Sequence, residues 1–235
     1  MWEKTVAVLI GYLFGCFLTA EAVAKHYAGK SAGQLGDTGN PGMANIMASL
    51  GFKPGILTLA GDLGKVCLAA GAVYFLFSGK VFPGLLPLED FSGDRLRILI
   101  FYSGAGCTLG HDFPFWRKLR GGKGVATTSM AITLYAVWPG LASNIIGMLV
   151  VFATKYLCIG GPAIPLSFAV WMFVRGDMEA GGIAAVLTLL SVYAHSGSMR
   201  GIRNGTTKKT DVPGAIKKKL GYQNEDHIQK KKTGG

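Results

Sequence analysis

An all-α integral membrane protein is the fold class this sequence predicts, with about seven transmembrane helices and its glycine-rich, basic loops gathered on the cytoplasmic side. Three observations predict it. Half of the 235 residues are hydrophobic and only 16% are charged, against about 25% in a soluble domain, and mean hydropathy is +0.37. The 35 glycines follow no G-X-Y period, which excludes collagen and fits closely packed membrane helices. The apolar residues fall into successive segments separated by polar or glycine-rich stretches.

Residues 5–24 form the first span, a length that crosses a bilayer core. Ala20-Glu21-Ala22 has the look of a signal-cleavage site. The region before it carries Glu3 beside Lys4 without a positive excess, and the apolar run exceeds a usual signal core, so a retained helix is expected. Residues 25–53 are polar and glycine-rich. The second span, 54–77, contains Asp62 and Lys65, whose i, i+3 spacing puts them on one helical face. Charges at membrane depth are costly and face the protein interior, so this pair either locks helices together or serves a site. Residues 78–96 form a loop with Pro83, Pro87, Glu89, Asp90 and Asp94.

A short apolar stretch, 97–109, is the third segment, and 125–138 the fourth, ended by Pro139-Gly140. Residues 141–154 are the fifth, 155–162 (KYLCIGGP) a glycine turn, 163–174 the sixth and 181–194 the seventh, with a basic tail from His195. The expected division is a polytopic membrane domain over 1–198 and a basic cytoplasmic tail over 199–235. Cys16, Cys67, Cys107 and Cys158 lie in or beside apolar segments without C-x-x-C spacing, which fits neither a zinc site nor a disulfide framework.

With seven spans, loops 25–53, 110–124 and 155–162 share one side with the tail, and that side carries 18 of the 24 Lys and Arg residues. The positive-inside rule makes it cytoplasmic. The tail lysines at 217–219 and 230–232 read as a solvated segment touching anionic membrane lipid. Nucleic-acid binding is a poor alternative, because no basic platform with stacking aromatics is evident.

The most informative stretch is 110–127, GHDFPFWRKLRGGKGVAT. It carries Arg117, Lys118, Arg120 and Lys123, with Gly121, Gly122 and Gly124 around the last. Glycine lets backbone approach a ligand and turn N–H groups toward it, and a lysine in such a turn adds a full positive charge. A helix beginning at Val125 would aim its N-terminal N–H groups at the same spot. This is a recipe for holding phosphate, although the G-x-x-x-x-G-K-[ST] loop of nucleotide hydrolases is absent. Asn40 and Asn45 in TGNPGMAN either bind hydroxyls and phosphate oxygens or cap turns. His111 and His195 sit at membrane boundaries, where a histidine acts as a base near neutral pH or simply makes interfacial hydrogen bonds.

GHDFPFWRKLRGGKGVAT resembles the second motif of the bacterial acyl-phosphate:glycerol-3-phosphate acyltransferase family, PlsY, and TGNPGMANIMASLG is similar to its first. GILTLAGDLGK also resembles the family, TKYLCIGG its serine-bearing loop, and AHSGSMRGIRNGT its third motif. The likeness covers residues 11–206. It implies seven helices, a cytoplasm-facing site, and acyl transfer from acyl phosphate to the sn-1 hydroxyl of glycerol 3-phosphate without a metal, a cofactor or a covalent acyl-enzyme. It implies catalytic roles for His195, Lys123, Cys158 and Ser198. Substrate-binding roles follow for Thr38, Gly39, Asn40, Gly42, Asn45, His111, Gly121, Gly122, Gly124 and Thr127. The chain departs from the pattern at Thr38 for a serine, Ala44 for a threonine, Ala48 for an arginine, Cys158 for a serine, and Ser196 and Ser198 for an arginine and an asparagine. Arg117, Arg120 and Lys155 are candidates to replace the missing arginine. The rival readings are a divergent acyltransferase with another acceptor or donor, and a non-catalytic lipid- or anion-binding protein or transporter.

Overall fold

The computed structural model describes residues 2–36, 39–78, 93–207 and 209. Thr38, the prolines and acids expected in the 79–92 loop, and the lysine-rich end of the tail lie outside the described residues. The helices are α1 (Trp2–Gly15), α2 (Thr19–Ala28), α3 (Met43–Leu50), α4 (Phe52–Phe77), α5 (Asp94–Asp112), α6 (Val125–Tyr135), α7 (Val137–Thr154), α8 (Leu157–Val174) and α9 (Met178–Arg203). Two 3-10 turns, Ala32–Gln34 and Phe115–Arg117, punctuate the loops. Among the described residues there is no strand.

Among the described residues, five spans are long and apolar enough to cross a membrane by length and composition: Trp2–Ala28 (α1 with α2), α4, α7, α8 and α9. The 19-residue α5 and the 11-residue α6 complete the bundle without reaching that measure.

The first span is not the single helix expected over 5–24. It breaks between Gly15 and Thr19. Such a break exposes carbonyls that lipid cannot satisfy, and side chains distant in sequence supply the donors. Lys65 Nζ donates to Gly15 O (3.4 Å) and Phe17 O (3.0 Å), and Trp116 Nε1–H donates to Cys16 O (2.7 Å).

Helix α1 lies against α5 through a reciprocal pair of small-residue ridges. A methyl group at Gly11 or Gly15 would overlap the carbonyls of Ser103 or Cys107, and one at Gly106 or Gly110 those of Val8 or Tyr12. G-x-x-x-G on both partners lets two backbones approach where lipid offers no hydrophobic drive for association. Phe101, stacked on Tyr135 with centroids 4.8 Å apart and edge-on to Phe168 at 5.9 Å, marks the core where α5, α6 and α8 meet, with Val66 and Leu187 joining from α4 and α9.

Four boundaries differ from expectation. Helix α5 extends three residues beyond 97–109 at each end. Pro139-Gly140 does not end the fourth segment. The break falls at Ala136, and Pro139 is the third residue of α7, where no intrahelical N–H is required. The 155–162 stretch is not a turn, since only Lys155 and Tyr156 link α7 to α8. Gly160 and Gly161 are helical and buried, allowing Val151 of α7 and His195 of α9 to close upon them. Finally, α9 continues to Arg203, so the division expected after residue 198 falls inside a helix and His195 opens no tail.

Candidate active site

The 113–124 segment is tied at its base to the end of α5. Gly121 N–H donates to Asp112 O and Gly122 N–H to His111 O, both at 2.9 Å. Gly122 lies flat on the His111 imidazole, where any side chain would overlap Nε2. Gly124 takes a left-handed conformation (φ 62°) and caps α6 at Val125, the expected helix start. The first two glycines therefore spend their N–H groups on α5 and do not offer them to an anion, contrary to the phosphate-cradling role expected of them. Among the described residues the N–H groups of Lys123 and Gly124 have no protein partner; Lys123 lines the cavity, and Gly124, buried against Asp112, does not.

Lys123 rises from this base and donates from Nζ to Ser198 Oγ of α9 at 2.7 Å. Burial lowers its pKa below the usual lysine value, with the Cys158 thiol acting weakly in the opposite direction. Beside it opens a cavity of about 510 Å³, whose walls are Gly39, Asn40 and Pro41, then Arg117, Arg120, Gly121 and Lys123, then Ser198 and Gly201 of α9 with Thr206 and Thr207. Two of the three loops expected to share one membrane face, 25–53 and 110–124, thus meet in one hollow with the end of α9. The 155–156 link does not line it, nor does Lys155.

The 115–120 turn reaches this cavity at a cost. Lys118 (φ 53°) and Leu119 (φ 59°) are both left-handed, a conformation that costs a non-glycine residue about 1–2 kcal/mol. The turn brings Arg117 and Arg120 to the same cavity while Lys118 and Leu119 point outward, exposed.

His195 is 1% exposed, and its Nδ1–H donates to Ser191 O at 2.9 Å. That fixes the tautomer and leaves Nε2 as a buried acceptor without a partner, against Gly161. It stands one turn below Ser198 on α9 but is not part of the cavity wall. Cys158 is buried near Lys123 and likewise does not line the cavity.

Several expected ligands are placed elsewhere. His111 sits beneath the glycine turn and receives a hydrogen bond at Nδ1 from Lys65 Nζ (2.7 Å), which is also paired with Asp62 at 3.1 Å. The Asp62–Lys65 pair therefore braces the α1 break and His111 together. Asn45 donates to Leu35 O (3.0 Å) and Ala32 O (3.4 Å), the turn-capping alternative for an asparagine beside glycine. Thr127 Oγ1 donates to Gly124 O at 3.0 Å and is fully buried, and Gly42 caps α3 outside the cavity wall. Ala48 is exposed on α3, away from the cavity. Sequence reasoning missed Thr206 and Thr207, whose hydroxyl pair follows the end of α9. Thr207 Oγ1 donates to Ser198 O at 2.7 Å.

A larger cavity, about 940 Å³, lies at the opposite end of the bundle, but its charges balance. Lys4 pairs with Glu179, Arg95 with Glu3 and Arg97 with Asp94. The surplus of positive charge belongs to the cavity at Lys123.

Residues 5–205 match the family model described as glycerol-3-phosphate acyltransferase. The chain is 38% identical over 222 residues to glycerol-3-phosphate acyltransferase 1 of Lactobacillus acidophilus, covering 94% of this chain and 99% of that one. It is 35% identical over 219 residues to the protein of the same name from Lactobacillus johnsonii, covering 93% and 98%. Its fold resembles the crystal structure of PlsY (YgiH), an integral membrane glycerol 3-phosphate acyltransferase, in the glycerol 3-phosphate form. The TM-score is 0.72 at 23% identity, over 91% of this chain and 98% of that one.

Proposed function

The chain belongs to the glycerol-3-phosphate acyltransferase family, and on that premise we propose that it moves an acyl group from acyl phosphate to the sn-1 hydroxyl of glycerol 3-phosphate, giving lysophosphatidate. The site is proposed to face the cytoplasm from the bacterial inner membrane, with anionic lipid beside the basic tail. The observation that carries the reading is the gathering of Lys123, Arg117 and Arg120 on one cavity among apolar helices. Both substrates carry phosphate and one carries an acyl chain, so a cationic hollow joined to lipid-facing helices suits the pair.

In the proposed reaction the hydroxyl oxygen bonds to the carbonyl carbon of the mixed anhydride. The bond from that carbon to the bridging oxygen breaks, and phosphate leaves. Acyl phosphate is already activated, so holding the reactants together and neutralising the departing phosphate supply most of the rate. Lys123 takes that charge with its ammonium and its own unpartnered N–H, and Ser198 orients it through their hydrogen bond. His195 Nε2, left unpartnered by the commitment of Nδ1 to Ser191, is the proposed acceptor of the hydroxyl proton, which it returns to phosphate. Since it lies behind the cavity wall against Gly161, this role requires the acceptor hydroxyl to reach past that wall. Asn40 and Gly39 flank the acceptor; Thr38 lies outside the described residues, and its substrate-binding role rests on the family resemblance alone. Gly121 forms part of the wall. Gly122, Gly124, His111 and Thr127 support the turn that carries Lys123, Asn45 and Gly42 support the loop that carries Asn40, and Cys158 packs beside Lys123.

The test is acyl transfer by protein purified into lipid, with palmitoyl phosphate and labelled glycerol 3-phosphate, beside His195→Ala. Lysophosphatidate made by the wild type and lost in the variant is the expected result. Folded wild-type protein that makes none overturns the assignment.

A further inference from the structure

Arg117 has an environment that the reaction as described does not use. Its guanidinium forms an ion pair through Nη1 with Glu21 Oε1 on α2, and both side chains are largely buried. Glu21 is itself fixed, accepting from Ser31 Oγ and from Ala32 N–H, each at 3.2 Å. Gly33 borders the other edge, close enough that a methyl group there would be in ordinary contact with Nη2 at 3.4 Å. The Trp116 ring lies under the guanidinium, 5.9 Å from centroid to Cζ. Arginine carries five donors in a rigid fork, more than one carboxylate consumes. The strained pair Lys118–Leu119 then holds the chain so that this held cation, and not a freely moving one, forms part of the cavity wall with Lys123.

We propose that Arg117 is a phosphate ligand of this site and that Glu21 is the positioning residue that aims it. The ligand class is a phosphate monoester or an acyl phosphate. Resting on the acyl-transfer reading above, the inference adds a second fixed cation to the wall that carries Lys123, so that a phosphate in the cavity is held by two cations. A planar fork binds phosphate in two parallel hydrogen bonds, whereas a lysine acts as a point charge.

The experiment uses full-length protein in lipid nanodiscs and measures KM for glycerol 3-phosphate and for palmitoyl phosphate separately, with Tm in the absence and presence of glycerol 3-phosphate. Arg117→Gln should raise KM for one phosphate substrate by about tenfold or more, with a smaller change in kcat. Which KM rises identifies the phosphate held. Arg117→Lys should fall between. The exchange Glu21→Arg with Arg117→Glu should recover Tm while the raised KM persists. A role confined to pinning α2 predicts the opposite, with KM recovering alongside Tm, and that result overturns the proposal. So does a wild-type KM for both substrates in Arg117→Gln or, where that variant fails to fold, in Arg117→Lys. Glycerol 3-phosphate that raises the Tm of the wild type but not of Arg117→Lys supports the inference even if no product forms. The acyl-transfer reading then fails by itself.

Discussion

Lys123 Nζ and Ser198 Oγ stand 2.7 Å apart, a single hydrogen bond that joins the glycine turn before α6 to the C-terminal end of α9. Replacing Lys123 by alanine removes a preorganised cation from the departing phosphate and should lower kcat/KM by about 10²–10³-fold, with the protein still folded and inserted. Ser198→Ala leaves the charge in place and loosens only its aim, so its loss should be much smaller. Steady-state kinetics on the two variants in lipid checks the order.

The pH profile should carry the mark of Lys123. Burial lowers its pKa below 10.5, so the free enzyme loses this charge at lower pH than an exposed lysine does. Phosphate needs the charged form, and kcat/KM should fall on an alkaline limb that begins below the ordinary lysine range. Lys123→Arg, which stays charged, should move that limb upward even if its maximum rate is lower.

Lys65 holds Gly15 O, Phe17 O, Asp62 and His111 at once. Lys65→Met strands a buried carboxylate and two carbonyls, and should cost about 3–5 kcal/mol. The double variant with Asp62→Asn should recover part of it. Thermal unfolding in detergent, referenced to the wild type, reads both.

Asp112 lies beneath Gly124, buried, with both carboxylate oxygens unpartnered among the described residues. An amide fills the same space without a charge to desolvate, so Asp112→Asn should raise Tm and preserve turnover. A lower Tm would show that the carboxylate has a partner the fold needs.

Gly122→Ala should abolish most activity, because its methyl group overlaps the His111 ring and lifts the turn from α5. The matched change at Gly197, where no atom lies within 4 Å, should be nearly silent despite its place on the cavity wall. Transfer assays on equal amounts of inserted protein separate the two.

Local pattern was enough for much of this protein. Apolar length marked α4 almost to the residue even with Asp62 and Lys65 inside it, and GGKG between apolar segments marked the turn that caps α6 at Val125. Asn40 and Asn45, alike in sequence context, were not separable. One lines the cavity, and the other is drawn away by the carbonyls of Ala32 and Leu35. The glycines at 160 and 161 read as a turn because glycine favours turns in isolation, whereas here the missing Cβ serves helix contact.

Composition, segment length and the basic glycine motif were sufficient to define a helical membrane protein with a basic glycine turn before α6, because each is a property of neighbouring residues. The break in the first span, the tautomer of His195 and the pairing of Arg117 with Glu21 depend on partners in other elements or on the turn of helix that carries them. Lys65 lies 50 residues from the carbonyl of Gly15, and Trp116 lies 100 from that of Cys16. Such contacts exist only once the helices have packed, since it is packing that removes water and obliges each buried polar group to find its partner within the protein.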